Sequence, residues 1–233
     1  MTDLATKPET TVADLPGGPY DVEFFFDPGC PFAWQTSVWI RRVAELQGVT
    51  IGWRFISLKF INEDKDEWYP GAREAQHRGL RYHRICAAAR EQFGNGAVAD
   101  LYKAWGEAFW NTEATGELPE KFEAAFANTD PAALVASVGL PESLLEAADD
   151  ESWDPLIRAE SDEAFRRTGA DVGTPIITFN PSGHSLFGPV ISSIPDDETA
   201  VKFYDALRVF ADFKGFSELK RTDRAPLDLP LFG

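Results

Sequence analysis

The apolar run Phe24-Phe25-Phe26 breaks off at Asp27-Pro28-Gly29, a turn signal, and beyond it Trp34, Val38, Val43 and Leu46 keep a helical period. The pattern predicts a strand over 21–26, a turn, and a helix running to about Gln47 with Gly48 as its closing residue. The strand's alternation is imperfect (Val22, Phe24 and Phe26 against Glu23 and Phe25), as expected for a strand covered on both faces. A second strand is predicted over 49–58, with Ile51, Trp53 and Phe55 on one face. So short a strand–helix–strand unit implies a crossover and a parallel pair.

After Asn62 the pattern changes. From about Asp64 to Gly169 the periodicity is helical, with helices predicted over 72–93, 98–110, 119–128, 131–138, 141–148 and 154–168. Proline stands at or near the start of four of them, where its missing N–H has no helical acceptor to lose. Strand character returns over 175–180, followed by the turn Pro181-Ser182-Gly183 and a short strand over 185–188, which together read as a hairpin. A last helix starts near Asp196 and carries Val201, Tyr204, Leu207 and Ala211 on one stripe. The order is βαβ, a helical block, then ββα. It implies an α/β fold: a four-stranded mixed sheet with flanking helices and an inserted all-helical subdomain. The expected division is a disordered leader over 1–20, core halves over 21–63 and 170–213, an insertion over 64–169, and an extended tail over 214–233.

Composition narrows the function classes. The 233 residues carry a formal net charge of −16, which argues against nucleic acid and anionic membranes as partners. No apolar run approaches the ~18 residues of a membrane helix, and the polar first twenty residues lack the character of a signal peptide, so a cytoplasmic location is expected. The two cysteines, Cys30 and Cys86, make no disulfide framework, and neither has a histidine at zinc-site spacing. No metal site is expected.

The candidate chemistry is at Cys30. A cysteine at a strand-to-helix turn meets unpaired backbone N–H groups and the positive end of the helix dipole, both of which favour a thiolate. Pro31 suits the first helical turn. Phe32 is expected to flank an exposed sulfur and Trp34 to enter the core, while Cys86, well inside a helical stretch, reads as buried and structural. Arg73, Arg78, Arg81, Arg84 and Arg90 read as a solvated face with local pairs such as Glu74–Arg78, or else as a cationic face for an anionic substrate. His77 and His83 read as surface residues of the same helix, and the acidic run from Glu142 to Glu163 as solvated.

Cys30-Pro31 after the first strand, with Val172-Gly173-Thr174-Pro175 before the third, resembles the DsbA-like branch of the thioredoxin superfamily. That resemblance implies a cis proline at Pro175 facing the cysteine. The match narrows with Phe26-Asp27-Pro28, Ser57-Leu58, Asn62-Glu63, Phe187-Gly188-Pro189-Val190, Ile194-Pro195 and Glu218-Leu219-Lys220-Arg221-Thr222. These look like the actinobacterial mycothiol-dependent nitroreductase family, over roughly Asp21 to Thr222. The resemblance implies Cys30 as nucleophile, Thr174 and Pro175 as the loop opposite, and Asn62 in the wall of a substrate pocket. Where better-known members read Cys-Pro-Trp-Cys, this chain has Cys-Pro-Phe-Ala, so Ala33 replaces the resolving thiol.

The expected activity is that of a monothiol oxidoreductase. Cys30 would attack a disulfide or small electrophilic or nitro substrate, and a low-molecular-weight thiol, mycothiol by resemblance, would resolve the adduct. Pro31, Phe32, Asn62, Thr174 and Pro175 would line the site, in a cleft between the core and the insertion. No flavin or nucleotide is expected. Ala33 also brings the motif towards kappa-class glutathione transferases and 2-hydroxychromene-2-carboxylate isomerases. A thioredoxin-like module that holds peptides against Thr174-Pro175 is the non-enzymatic alternative.

Overall fold

The computed structural model describes residues 12–65, 72–169 and 171–233. Its sheet has four strands in the order β2-β1-β3-β4: β1 (Val22–Phe26), β2 (Ile51–Phe55), β3 (Ile176–Phe179) and β4 (His184–Phe187). β1 runs parallel to β2, with Phe24 opposite Trp53, and antiparallel to β3, with Phe25 opposite Ile176. β3 and β4 form the expected hairpin. Both faces of β1 are buried. Phe24 and Phe26 pack with Trp53, Phe55 and Tyr102 on one side, while Phe25 packs with Ile56, Ala164 and Ile176 on the other.

Helix α1 (Pro31–Gln47) follows β1 and ends at Gly48, whose φ of 70° is a conformation that costs glycine little. It is pinned to the last helix, α8 (Asp197–Asp212), by the Trp39 indole N–H on the Ala200 carbonyl and by an Arg42–Asp197 ion pair. After β2 comes a single turn, α2 (Leu58–Ile61), where a longer second strand was expected. Phe55 ends the ladder because the next residues turn away: the Ser57 N–H goes to Ser161 and the Leu58 N–H to Asp27.

The insertion contains α3 (Ala72–Phe93), α4 (Asn95–Trp110), α5 (Leu118–Ala127), α6 (Pro131–Ser137) and a 3-10 stretch over Glu142–Asp149. Helix α7 (Asp154–Thr168) falls inside the expected insertion, 64–169, yet it belongs to the sheet's layer. Its Glu160 accepts the Phe55 N–H, and its Arg167 bonds Glu23 and Thr178 on neighbouring strands.

Four further expectations need correction. Residues 1–11 of the expected leader lie outside the described residues, and residues 12–20 are tied down: Leu15 is buried and the Arg54 guanidinium donates to the Ala13 carbonyl. His83 is in the core, its Nε2 3.1 Å from the Phe26 carbonyl, and burial pushes its pKa down to about 3. The α3 arginines keep the expected Glu74–Arg78 pair, but they are not a solvated face throughout. Arg84 is buried against Asp154, Arg90 is buried against Glu160, and Arg78 and Arg81 pair with Glu74 and Asp149. The acidic run is likewise only partly solvated, since Glu160 sits in the core between Arg54 and Arg90. Isolated buried carboxylates are unfavourable, and the two guanidiniums remove that penalty. The tail is mostly extended, and Leu229 and Leu231 anchor it.

Candidate active site

The turn between β1 and α1 is built by Asp27. Its main-chain carbonyl accepts the Cys30 N–H at 3.1 Å, and its carboxylate accepts the Gly29 N–H at 2.7 Å. Cys30 is therefore delivered as the N-cap of α1, with Pro31 in the first helical position. Its sulfur accepts the Ala33 N–H at 3.4 Å, the interaction expected of a cysteine at a helix start.

Across the turn stands the loop before β3, with a cis Thr174–Pro175 peptide, as the resemblance implies. The Cys30 S–H donates to the Thr174 carbonyl at 3.4 Å. Thr174 is itself held by its hydroxyl on the Phe25 carbonyl at 3.1 Å, and β1 thus fixes both sides of the site. Among the described residues the Thr174 N–H has no acceptor.

The sulfur is less accessible than expected. Cys30 is only 8% exposed, and the thiol's pKa is raised to about 12. Burial is the largest cause. The Ala33 and Phe32 N–H groups pull the other way, and the nearby Asp27 charge adds to the rise. The sequence reading counts only the helix-start groups that favour a thiolate, and burial opposes them. The helix-start effect is present, but desolvation outweighs it.

The other expected residues are arranged around this pair. Pro31 and Phe32 are half-buried beside the sulfur's turn. Asn62 closes the α2 turn, its side-chain amide donating to the Leu58 carbonyl at 2.9 Å. It reaches the cysteine turn indirectly, since the Leu58 N–H is bound by Asp27. Ala33 is fully buried, and Cys86 is a buried free thiol whose pKa burial pushes above the ordinary thiol range.

Beside Gly29 the insertion closes an aromatic cleft lined by Trp105, Phe109, Trp110, Phe122 and Phe126, with only about 10 Å³ free. The Trp110 indole N–H donates to the Pro28 carbonyl at 3.3 Å, bracing the turn from the insertion side. Neither this brace nor the burial of Asp27 was expected. Asp27 reads as a turn residue in sequence; the unbroken apolar run that leads into it is the one local sign that it is buried. Among the described residues no helix is long and apolar enough to cross a membrane.

Comparison with known proteins gives the family and the fold. A protein from Mycobacterium tuberculosis, Rv2286c, described as uncharacterized, is 34% identical over 215 residues, covering 90% of this chain and 85% of the relative. The cytosolic disulfide reductase DsbM from Pseudomonas aeruginosa, solved with GSH, shares the fold at a TM-score of 0.52 and 17% identity, covering 81% of this chain and 98% of that one. The family model Rv2466c-like, described as mycothiol-dependent nitroreductase Rv2466c, matches residues 29–221. With its DsbA-like mixed sheet, its helical insertion and a match that begins at the cysteine turn, the chain belongs to the Rv2466c-like family of mycothiol-dependent nitroreductases.

Proposed function

We propose that the protein is a single-cysteine thiol oxidoreductase that exchanges Cys30 with mycothiol. The observation that carries this reading is the Cys30 sulfur at a helix start, facing the Thr174 carbonyl, with Ala33 in the place of a second motif thiol. The Thr174 N–H, without an acceptor among the described residues, belongs to the residue whose carbonyl meets the sulfur and is a donor suited to the main chain of an extended thiol or peptide-like ligand. Cys86 is too deeply buried to act as a resolving partner at rest.

At rest the thiol is protonated. Reaction proceeds in molecules where the turn opens to water, so that burial no longer opposes ionisation while the Ala33 and Phe32 N–H groups still favour it. The Cys30 thiolate attacks the mycothiol sulfur of a mixed disulfide. The S–S bond breaks, the substrate thiolate leaves and takes a proton from water, and a Cys30–mycothiol disulfide forms. A second mycothiol thiolate then attacks the mycothiol sulfur of that adduct, releasing oxidised mycothiol and regenerating Cys30. The net change is a thiol–disulfide exchange: one free mycothiol is consumed, the substrate thiol is released, and the mycothiol carried by the mixed disulfide leaves as half of the oxidised mycothiol.

Turnover of a mycothiol mixed disulfide, with mycothiol as reductant, tests the reading. Wild type and Cys86→Ser should turn over, and Cys30→Ser should not. Equal turnover by Cys30→Ser would remove the sulfur from the mechanism.

A further inference from the structure

The Asp27 side chain is fully buried, three residues before the nucleophile, and its role goes beyond shaping a turn. One carboxylate oxygen takes the Gly29 N–H and the other takes the Leu58 N–H, each at 2.7 Å. The first belongs to the cysteine turn. The second belongs to the loop entering α2, the helix that Asn62 closes. Space for the carboxylate is left by two glycines: a Cβ on Gly29 or on Gly79 of α3 would come within 3.1 or 3.2 Å of it.

Among the described residues no cation pairs with this carboxylate. Among the described residues the ionisable groups that feel this carboxylate are Cys30 at the start of α1 and Tyr102 on α4, while His83 on α3 binds the carbonyl of the preceding residue, Phe26, and Lys59 follows Leu58 on α2. Burial keeps the Tyr102 hydroxyl and the His83 ring neutral near pH 7, and Lys59 makes no ion pair with Asp27. A carboxylate with two N–H donors and no counter-charge in an apolar surround acts on the Cys30 sulfur, three residues on in the same turn, with little screening.

Building on the thiol-exchange reading, we propose that Asp27 is a positioning residue for Cys30: its carboxylate clips the cysteine turn to the α2 loop, and its uncompensated charge opposes a thiolate at Cys30. Burial raises the Asp27 carboxyl to about 7, against the pull of the two N–H donors, so this opposing charge appears across neutral pH. Below that range the neutral acid leaves the helix start to act on the sulfur unopposed. Across that range the thiol gains reactivity with pH less steeply than one ionisation would give.

Iodoacetamide alkylation of Cys30, followed by peptide mass in wild type and Asp27→Asn, tests this without substrate or mycothiol, so its outcome is independent of the exchange reaction. The ratio of variant to wild-type rate should be near one at about pH 5.5 and rise to about 3–10-fold by about pH 9, the effect of half to one pKa unit. A ratio that stays flat across this range would overturn the proposal, because a purely structural clip changes the rate equally at every pH. The amide places an NH2 group against one of the two N–H donors, and the variant could fail to fold. The wild-type alkylation profile then decides, with the Asp27 carboxyl carbon shift marking where Asp27 titrates: a rate that flattens through that midpoint supports the proposal, and a rate that rises through it with the slope of a single ionisation overturns it.

Discussion

The Cys30 sulfur and the Thr174 carbonyl oxygen lie 3.4 Å apart although 144 residues separate them in the chain. The contact is a thiol donating to a carbonyl. It exists because β1 and β3 are hydrogen-bonded neighbours and the loop before β3 crosses the turn after β1. The same closure that brings Thr174 to the sulfur also removes water from it. The resting site is therefore a protected thiol that a helix start is ready to ionise once it opens.

The first prediction follows from that balance. With burial raising the thiol to about 12, iodoacetamide should modify Cys30 slowly in native protein, with a midpoint well above the about 8.5 of a free thiol. Urea should accelerate the reaction at neutral pH. A native midpoint below neutrality would mean that the helix start wins over desolvation.

The second concerns the missing thiol. Ala33 lies one helical turn from Cys30, and its N–H already reaches the sulfur. Ala33→Cys should close a disulfide with Cys30 on oxidation, because residues three apart at a helix start lie within the roughly 4.4–6.8 Å that a bridge spans. Peptide mapping of the oxidised variant reads this directly. A variant that retains two free thiols under oxidant would show that the buried Ala33 position has no room for sulfur.

Strand β1, its turn and α1 are legible in the sequence because one sharp change of polarity at Asp27-Pro28-Gly29 separates two periodicities. Helix α3 is legible to the residue, over Ala72–Phe93, for a similar reason. What periodicity does not carry is the layer a helix packs against. Helix α7 shows the same helical signal as the insertion, and only the Glu160 contact to Phe55 and the Arg167 contact to Glu23 reveal that it covers the sheet. His83 is hidden in a stretch rich in arginine, and its burial depends on Phe26 and Phe55 across the fold. For Cys30 the local electrostatics were readable and the solvation was not, since the latter is set by Thr174.

The third prediction uses His83. Its folded pKa, about 3, lies below the unfolded 6.5, so the unfolded chain takes up the proton first as pH falls. The neutral ring's contribution to stability is present above about pH 6.5 and is lost as pH drops towards about 3. At about pH 4.5 the loss should reach about 2–3 kcal/mol. His83→Gln should be less stable than wild type at neutral pH but lose less on acidification, as urea unfolding at the two pH values would show. Parallel losses in both proteins would place the acid sensitivity elsewhere.

The fourth concerns packing behind the site. Gly106 of α4 faces Trp34 of α1, and a Cβ there would fall 2.0 Å from the indole. Tyr102, one turn before Gly106 on the same helix, packs edge-on against Trp34 as well. Gly106→Ala should therefore destabilise by about 1–3 kcal/mol, as overpacking does, and disturb the first turns of α1. Urea unfolding measures the first effect, and faster Cys30 alkylation would report the second. An unchanged unfolding midpoint would mean that Trp34 has a free alternative position.

The central claim is that Cys30 alone exchanges with mycothiol. Intact-mass analysis after incubation with oxidised mycothiol tests it most directly. Wild type should gain the mass of one mycothiol on Cys30 and lose it when reduced mycothiol is added, Cys86 should stay unmodified, and Cys30→Ser should gain nothing. A Cys30–Cys86 disulfide, or an adduct that forms equally in Cys30→Ser, would contradict the account.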